Sequence, residues 1–149
     1  MGYELREHTA DVAVEATGES LGATFGAVAD GMATAMCVDW PDAGDRHSIT
    51  VTAESREALL FDYLDELIYE RDIRSVLPVD NAGRVECVPA ESEGDSTETD
   101  AEARWHVDGE YRGVPLDRVD ARDLKAVTYS EMALEETTGG WRAYVVFDV

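Results

Sequence analysis

Two segments with helical periodicity, both in the first half of the chain, limit the fold more than any other feature of the sequence. The first follows Ser20 and the second follows Ser55, and serine is a favourable residue at a helix N-cap. Large apolar residues recur in each segment at spacings of three or four, and the second segment also has an acidic face. We therefore predict two amphipathic helices. The apolar stripes are Leu21, Phe25, Val28, Met32 and Met36 in the first helix, and Leu59, Leu60, Tyr63, Leu64, Leu67 and Ile68 in the second.

The other patterned segments alternate apolar and polar residues, which is typical of strands. The sequence Asn81-Ala82-Gly83 predicts a turn, and Gly139-Gly140 predicts the turn of a C-terminal hairpin. Strands and helices do not alternate regularly, so the fold class is α+β, with two helices packed on one face of a mainly antiparallel or mixed β-sheet. The predicted strands cover residues 3–7, 11–16, 47–53, 76–79, 84–88, 104–112, 126–134 and 141–149.

The length of 149 residues fits a single domain, residues 1–149. Residues 89–103 are acidic, rich in Ser and Thr and without periodicity, so we expect an acidic surface loop there. No apolar run approaches the roughly 20 residues that a membrane-spanning helix needs. Charged residues at positions 4, 6 and 7 also exclude a typical signal peptide. We therefore predict a cytoplasmic protein without a membrane partner.

The formal net charge is −21, and the basic residues are arginines apart from a single lysine, Lys125. The acids are spread over every segment, which favours adaptation to a high-salt cytoplasm, where screening weakens self-repulsion. The alternative is a chain made acidic to mimic nucleic acid or to bind a basic partner. Direct binding of RNA or DNA is disfavoured in either case, because phosphate contacts require clustered Lys and Arg.

Several common reaction motifs are missing from the sequence. It has no Gly-rich phosphate loop, no GxSxG nucleophile elbow and no HExxH zinc motif. Cys37 and Cys87 are far apart and are expected to be buried small hydrophobic residues rather than a disulfide or a thiolate metal site. Nothing in these patterns requires an enzyme.

Acidic residues near both ends of the chain indicate a candidate cation site. Asp11 begins one strand, and Asp148 ends another on the face opposite Phe147. If the two strands are neighbours, both carboxylates can meet the α-carboxylate of Val149. Crowded carboxylates repel unless a cation bridges them, and oxygen-only ligands favour Mg²⁺, Mn²⁺ or Ca²⁺. The alternative is that Asp11 caps a turn and Asp148 is a solvated terminal residue.

His8 and Lys125 are further candidate functional residues. His8 precedes the Asp11 strand and is either an additional ligand or a hydrogen-bonded strand residue. Lys125, as the only lysine, could contact a phosphate or form a salt bridge to Asp11 or Asp148. It could equally have been retained by chance.

A set of short motifs resembles the archease family. The motifs occur in the family's order and cover nearly the whole chain, so that the set is specific although each motif alone is weak. The resemblance implies a small α+β domain that serves as a protein cofactor and is not itself an enzyme. The motifs are His8-Thr9-Ala10-Asp11, the helix containing Phe25, Lys125-Ala126-Val127-Thr128-Tyr129 and Val146-Phe147-Asp148-Val149.

The resemblance implies a role in tRNA splicing. Archeases assist the RtcB-type RNA ligase, which joins tRNA halves after intron removal and is charged with GMP from GTP on its own histidine. The archease promotes this guanylylation and restores multiple turnover, and RNA is involved only through the ligase. The charge of this chain would suit a basic patch on that partner. Competing hypotheses are a chaperone-like binding module and a metal-dependent hydrolase.

The resemblance also implies a divalent-metal site formed by Asp11, Asp148 and Val149, the same three residues that the strand pattern selects. The functional ion would be Mg²⁺ or Mn²⁺, with Ca²⁺ as an alternative occupant in crystals. Lys125 matches the lysine of the family's KA-x-T-Y motif. Many members have histidine after that tyrosine, whereas this chain has Ser130. This chain therefore lacks any contribution that this histidine makes to ligase activation in those members.

Overall fold

The computed structural model describes residues 2–7, 11–88 and 104–149, with backbone only at positions 4–7. The predicted acidic loop at 89–103 lies outside the described residues. The elements are β1 Gly2–Glu7, β2 Asp11–Gly18, α1 Leu21–Met36, β3 Asp45–Ala53, α2 Arg56–Arg74, β4 Val76–Val88, β5 Arg104–Pro115, a short 3₁₀ turn Leu116–Arg118, β6 Ala126–Thr137 and β7 Gly140–Asp148.

Both predicted helices are present, and each begins directly after its serine. The Oγ atom of Ser20 accepts a hydrogen bond from the backbone N–H of Ala23 at 3.1 Å, and that of Ser55 accepts one from Ala58 at 3.0 Å. These caps satisfy backbone donors that the first helical turn leaves unpaired. The second helix ends at Ser75, whose φ of 55° is left-handed. In the described part of the chain, neither helix has the length and hydropathy of a membrane span.

The seven strands form two antiparallel sheets, with the orders β1-β2-β7-β6 and β3-β5-β4. The α+β class with two helices on antiparallel strands is confirmed, although the strands are divided between two sheets. Each helix contacts strands of both sheets, so the helices hold the sheets together. Phe25 of α1, Tyr63 of α2 and Phe147 of β7 are fully buried, and the rings of Phe25 and Tyr63 lie 5.6 Å apart.

The strands β2 and β7 are neighbours, which is the condition that the sequence left open. Val14 lies opposite Val145, and both are fully buried. Both predicted strands are therefore confirmed, although Ala13 and Val146, on the opposite face, are buried as well. At the end of this pairing, Asp11 lies opposite Asp148.

The predicted turn at residues 81–83 is wrong, because β4 continues through it with a bulge. The pairing of β4 with β5 shifts register between Val79 and Ala82 and then resumes. Asn81 donates two hydrogen bonds, from its backbone N–H and its Nδ2, to Oδ1 of Asp30 in α1, each at 2.9 Å. This contact holds the bulge, which has one extra residue, against the helix, so the strand bends instead of reversing.

The predicted C-terminal hairpin is confirmed, with a turn at residues 138–139. However, the pairing of β6 with β7 shifts register between Thr128 and Ala133, so the intervening residues leave the regular ladder. Tyr129 thereby reaches α2, where its ring stacks on Phe61 with centroids 4.2 Å apart and planes within 7°. The irregularity places an aromatic side chain on the helix.

The two cysteines have different environments, and both are free. Cys37 is buried, as predicted, but Cys87 is exposed, so the prediction of burial is wrong for it. Gly22, in the first turn of α1, lies against Gly83 of β4. A Cβ atom added at Gly22 would be 2.3 Å from the Gly83 carbonyl oxygen. Cys87 lies four residues further along β4, beyond the cover of that helix.

Candidate functional site

Asp11 and Asp148 are direct partners in the antiparallel pairing of β2 and β7. Side chains at such opposed positions project from the same face, with Cβ atoms about 4.5–5.5 Å apart. Asp11 is half-buried and Asp148 is exposed. The fold thus brings two carboxylates from distant parts of the chain together at one end of the sheet.

The charges of these two carboxylates are not compensated by the described side chains. Glu15, which shares the outer face of β2 with Asp11, forms an ion pair with Arg142 at 2.6 Å. By contrast, neither Asp11 nor Asp148 forms an ion pair with a described side chain. Like charges at opposed strand positions are destabilising. A bound cation would therefore fit the electrostatics of this end of the sheet.

The backbone of Asp148 is held from both sides. Besides its pairing with Asp11 of β2, it lies opposite Ala126 of β6, and its carbonyl oxygen accepts a hydrogen bond from Lys125 N–H at 2.9 Å. Lys125 is exposed and forms no ion pair with any side chain that the structure describes, so the predicted salt bridge to Asp11 or Asp148 is not formed. Its backbone supports the site and leaves its ammonium available to another molecule.

Val149 directly follows Asp148, the residue that ends β7. Val149 is half-buried and packs its side chain against the hydrophobic core, which restrains the terminal residue. The predicted third ligand is its α-carboxylate. Across the described ranges no cluster of three His, Cys, Asp or Glu side chains could hold a metal ion, so the described side chains offer two ligands. His8 lies outside the described residues.

Arg71 of α2 fixes the segment that leads to Lys125, and the sequence analysis missed it. Its side chain is only 9% exposed, and its Nη1 donates to the carbonyl oxygen of Leu124 at 3.0 Å. The same Nη1 lies 3.3 Å from Sδ of Met36 in α1. Its position on the apolar stripe of α2, four residues after Leu67, was the available signal, but its partner Leu124 is 53 residues away in sequence.

A second arginine, Arg56, joins the two sheets. Its guanidinium carbon lies 5.6 Å from the ring centroid of Trp105 in β5 and 5.1 Å from that of Trp141 in β7. Contacts of this kind are attractive because the face of an indole ring is electronegative. Arg56 thus ties the first turn of α2 to both sheets.

The chain matches the model of the archease protein family over residues 3–149. Protein archease of Methanosarcina mazei is 32% identical over 148 residues, which cover 99% of this chain and 95% of that protein. Protein archease of Thermococcus kodakarensis is 30% identical, with 99% and 98% covered.

Two solved structures share the fold. The solution structure of protein 1598 of Methanobacterium thermoautotrophicum has a TM-score of 0.74 and 27% identity, and the match covers 99% of each chain. The crystal structure of a Thermotoga maritima archease, described as a possible chaperone, has a TM-score of 0.62 and 21% identity, with 97% and 94% covered, and it supports the fold alone. Because the family model extends over nearly the whole sequence and these relatives match it along their length, the chain belongs to the archease family.

Proposed function

We propose that this protein activates an RtcB-type tRNA-splicing RNA ligase by promoting its guanylylation and multiple turnover. The activation depends on a divalent cation held by Asp11, Asp148 and the α-carboxylate of Val149. Membership of a family whose relatives carry no enzyme name supports a protein cofactor rather than a catalyst. The single observation that carries the metal proposal is the pairing of Asp11 with Asp148, two acids without a cationic partner among the described side chains.

The ligand set suits a hard cation. Carboxylate oxygens bind Mg²⁺, Mn²⁺ and Ca²⁺, and Mg²⁺ is commonly held by one or two carboxylates, with water and phosphate oxygens as its other ligands. Mg²⁺ or Mn²⁺ is the expected ion in the cell, and Ca²⁺ is an alternative occupant in crystals. When bound, the ion would supply positive charge for phosphate oxygens of the nucleotide.

Contacts within this chain would position the bound cation. The pairing with Asp11 and the hydrogen bond from Lys125 fix the backbone of Asp148. The exposed Lys125 ammonium is suited to contact a phosphate or an acidic group of the ligase. Activation requires that the archease bind the GTP-reactive state of the ligase more tightly than its other states.

The net charge of −21 disfavours direct RNA contacts by this chain and suits a basic patch on the ligase. For a role in tRNA splicing we expect the protein to act in the cytoplasm. Adaptation to high salt remains a prediction, and it sets the conditions for the assay.

The test is multiple-turnover RNA ligation by the cognate ligase in high salt, with and without this protein. Asp148→Asn and Asp11→Asn remove one carboxylate charge each with little change of shape, and Asp45→Asn is the matched control, because Asp45 is exposed and forms no ion pair with a described side chain. We expect the first two variants to lose stimulation and the control to keep it. Wild-type stimulation by Asp148→Asn would exclude the metal mechanism, and no stimulation by the wild type of an active, unsaturated ligase would exclude the activator role.

The same assay separates the competing hypotheses. A chaperone-like module would remain active with a chelator and with Asp148→Asn. A metal-dependent hydrolase would cleave RNA or nucleotide without the ligase. We expect neither result.

A further inference from the structure

The outer face of α2 combines acidic and apolar side chains that make few contacts within the described chain. Tyr69 and Ile73 are each 55% exposed, and they lie one helical turn apart on the same side of the helix. Among the described residues six large hydrophobic side chains are exposed, and two of them share this face. Asp62, Asp65 and Glu66 continue the face toward the start of the helix.

Tyr129 extends this face at its acidic end. It is 55% exposed, and its ring stacks on Phe61 of α2 at 4.2 Å. Partial burial and the nearby carboxylate of Asp62 raise the pKa of the Tyr129 hydroxyl. The α2 surface therefore consists of Asp62, Asp65, Glu66, Tyr69, Ile73 and Tyr129.

The acids of the α2 surface lie close enough to repel one another. Partial burial, followed by the charge of Asp65, raises the pKa of Asp62. Partial burial, followed by the charges of Glu70 and Asp65, raises the pKa of Glu66. None of the three surface acids forms an ion pair with a described basic residue. A positive charge placed beside them would relieve this repulsion.

The charge of the surface selects its occupant. A second copy of this chain in a symmetric contact would bring the same acids together, and nucleic acid or anionic lipid would add further negative charge. We propose that the α2 surface docks a basic amphipathic segment of a partner protein. Its Lys or Arg side chains contact Asp62 and Asp65, and its apolar side chains pack on Tyr69 and Ile73.

This docking surface is built from different residues than the aspartate pair, so affinity and activation can be tested separately. The inference rests on the proposed function in one respect, since it takes the ligase as the partner. At molar salt the Debye length is about 3 Å, and only charges in direct contact still interact appreciably. Apolar contacts at Tyr69 and Ile73 should then supply most of the affinity.

The test measures the Kd of this protein for the cognate RtcB-type ligase by calorimetry, together with the concentration that gives half-maximal stimulation of ligation. The double variant Tyr69→Ser/Ile73→Ser is compared with Val38→Ser, because Val38 is 87% exposed outside the α2 surface. A second pair, Asp65→Lys and Asp45→Lys, tests the charge without removing an apolar residue, because Asp45 is exposed and forms no ion pair with a described side chain.

We expect the double variant to raise the Kd and the concentration for half-maximal stimulation about tenfold or more, with the maximal stimulation retained at saturation. Asp65→Lys should weaken binding most at low salt, and both controls should behave as wild type. Unchanged Kd and half-maximal concentration in the double variant and in Asp65→Lys would overturn the docking surface alone. If wild-type protein neither binds nor stimulates an active ligase, the proposed function fails, and this assignment of the partner fails with it.

Discussion

Asp11 and Asp148, near opposite ends of the sequence, lie directly opposite each other where β2 meets β7. The pairing places two like charges on one face of the sheet, without an ion-pair partner among the described side chains. Such an arrangement lowers stability unless something of opposite charge occupies it. The proposed cation site rests on this pairing.

The first prediction concerns the protein without metal. Asp148→Asn removes one of two opposed charges, so in chelator at low salt it should be as stable as wild type or more stable by about 0.2–1 kcal/mol. The measurement is urea unfolding, with Asp45→Asn as the control for a lost surface carboxylate. A clear loss of stability in Asp148→Asn under these conditions would mean that the carboxylate has an internal partner.

The second prediction concerns Glu70, a buried carboxylate that accepts hydrogen bonds from Tyr111 and Arg74. Burial acts to raise its pKa, but these hydrogen bonds and the charge of Arg74 outweigh burial and lower it. Because its pKa is lower in the folded than in the unfolded state, the stability it contributes is present above about pH 4.3 and is lost as the pH falls through the folded value.

Glu70→Gln should accordingly lower the free energy of unfolding at pH 7 by about 1.5–3 kcal/mol, the range for hydrogen bonds to charged groups. The difference from wild type should shrink as the pH falls below about 4.3. Urea unfolding of wild type and Glu70→Gln, from pH 7 to below about pH 4.3, measures this difference. A difference that stays constant with pH would show that the ionised form of Glu70 has no special role.

The third prediction concerns Arg71. Its replacement by leucine would leave the buried carbonyl of Leu124 without its hydrogen-bond donor, which should cost about 1–3 kcal/mol. The adjacent hydrogen bond from Lys125 to Asp148 should also open more often, which amide hydrogen exchange at Lys125 measures. If the variant is destabilised but the Lys125 amide keeps its wild-type protection, Arg71 does not stabilise the aspartate end of the sheet.

The fourth prediction concerns the close approach of α1 to β4. A Cβ atom at Gly22 would lie 2.3 Å from the Gly83 carbonyl oxygen, so Gly22→Ala should destabilise by about 1–3 kcal/mol although alanine favours helices. Gly139→Ala is the control, because nothing lies within 4 Å of its added atom. The change in the thermal unfolding midpoint relative to wild type should therefore differ between the two variants in sign or clearly in size. Equal midpoints would contradict the close packing.

The features of the fold that could be predicted depend on interactions between residues close together in sequence. Ser20 and Ser55 mark helix starts because a hydroxyl can satisfy donors within its own first turn. Strand alternation likewise places Asp11 and Asp148 on the face away from the core, because the period of two is a property of each strand. The candidate site could thus be named from sequence on the condition that its two strands pair.

The parts that were not predictable depend on contacts between distant residues. Asn81 looks like part of a turn, and only its bonds to Asp30, 51 residues away in sequence, make it a bulge in a continuous strand. The division of the strands into two sheets depends on which edges pair, and periodicity does not encode this. Tyr129 reaches Phe61 through an irregularity of β6 that has no clear local signal.

The most direct test of the central claim is a Mn²⁺ titration followed by electron paramagnetic resonance, with wild type, Asp11→Asn, Asp148→Asn and Asp45→Asn in parallel. We expect one site in wild type and in Asp45→Asn, competed by Mg²⁺ or Ca²⁺, and a loss of affinity of tenfold or more in the other two variants, or about 1.4 kcal/mol or more. Equal Mn²⁺ affinity in all four proteins would contradict a metal site at the Asp11–Asp148 pair.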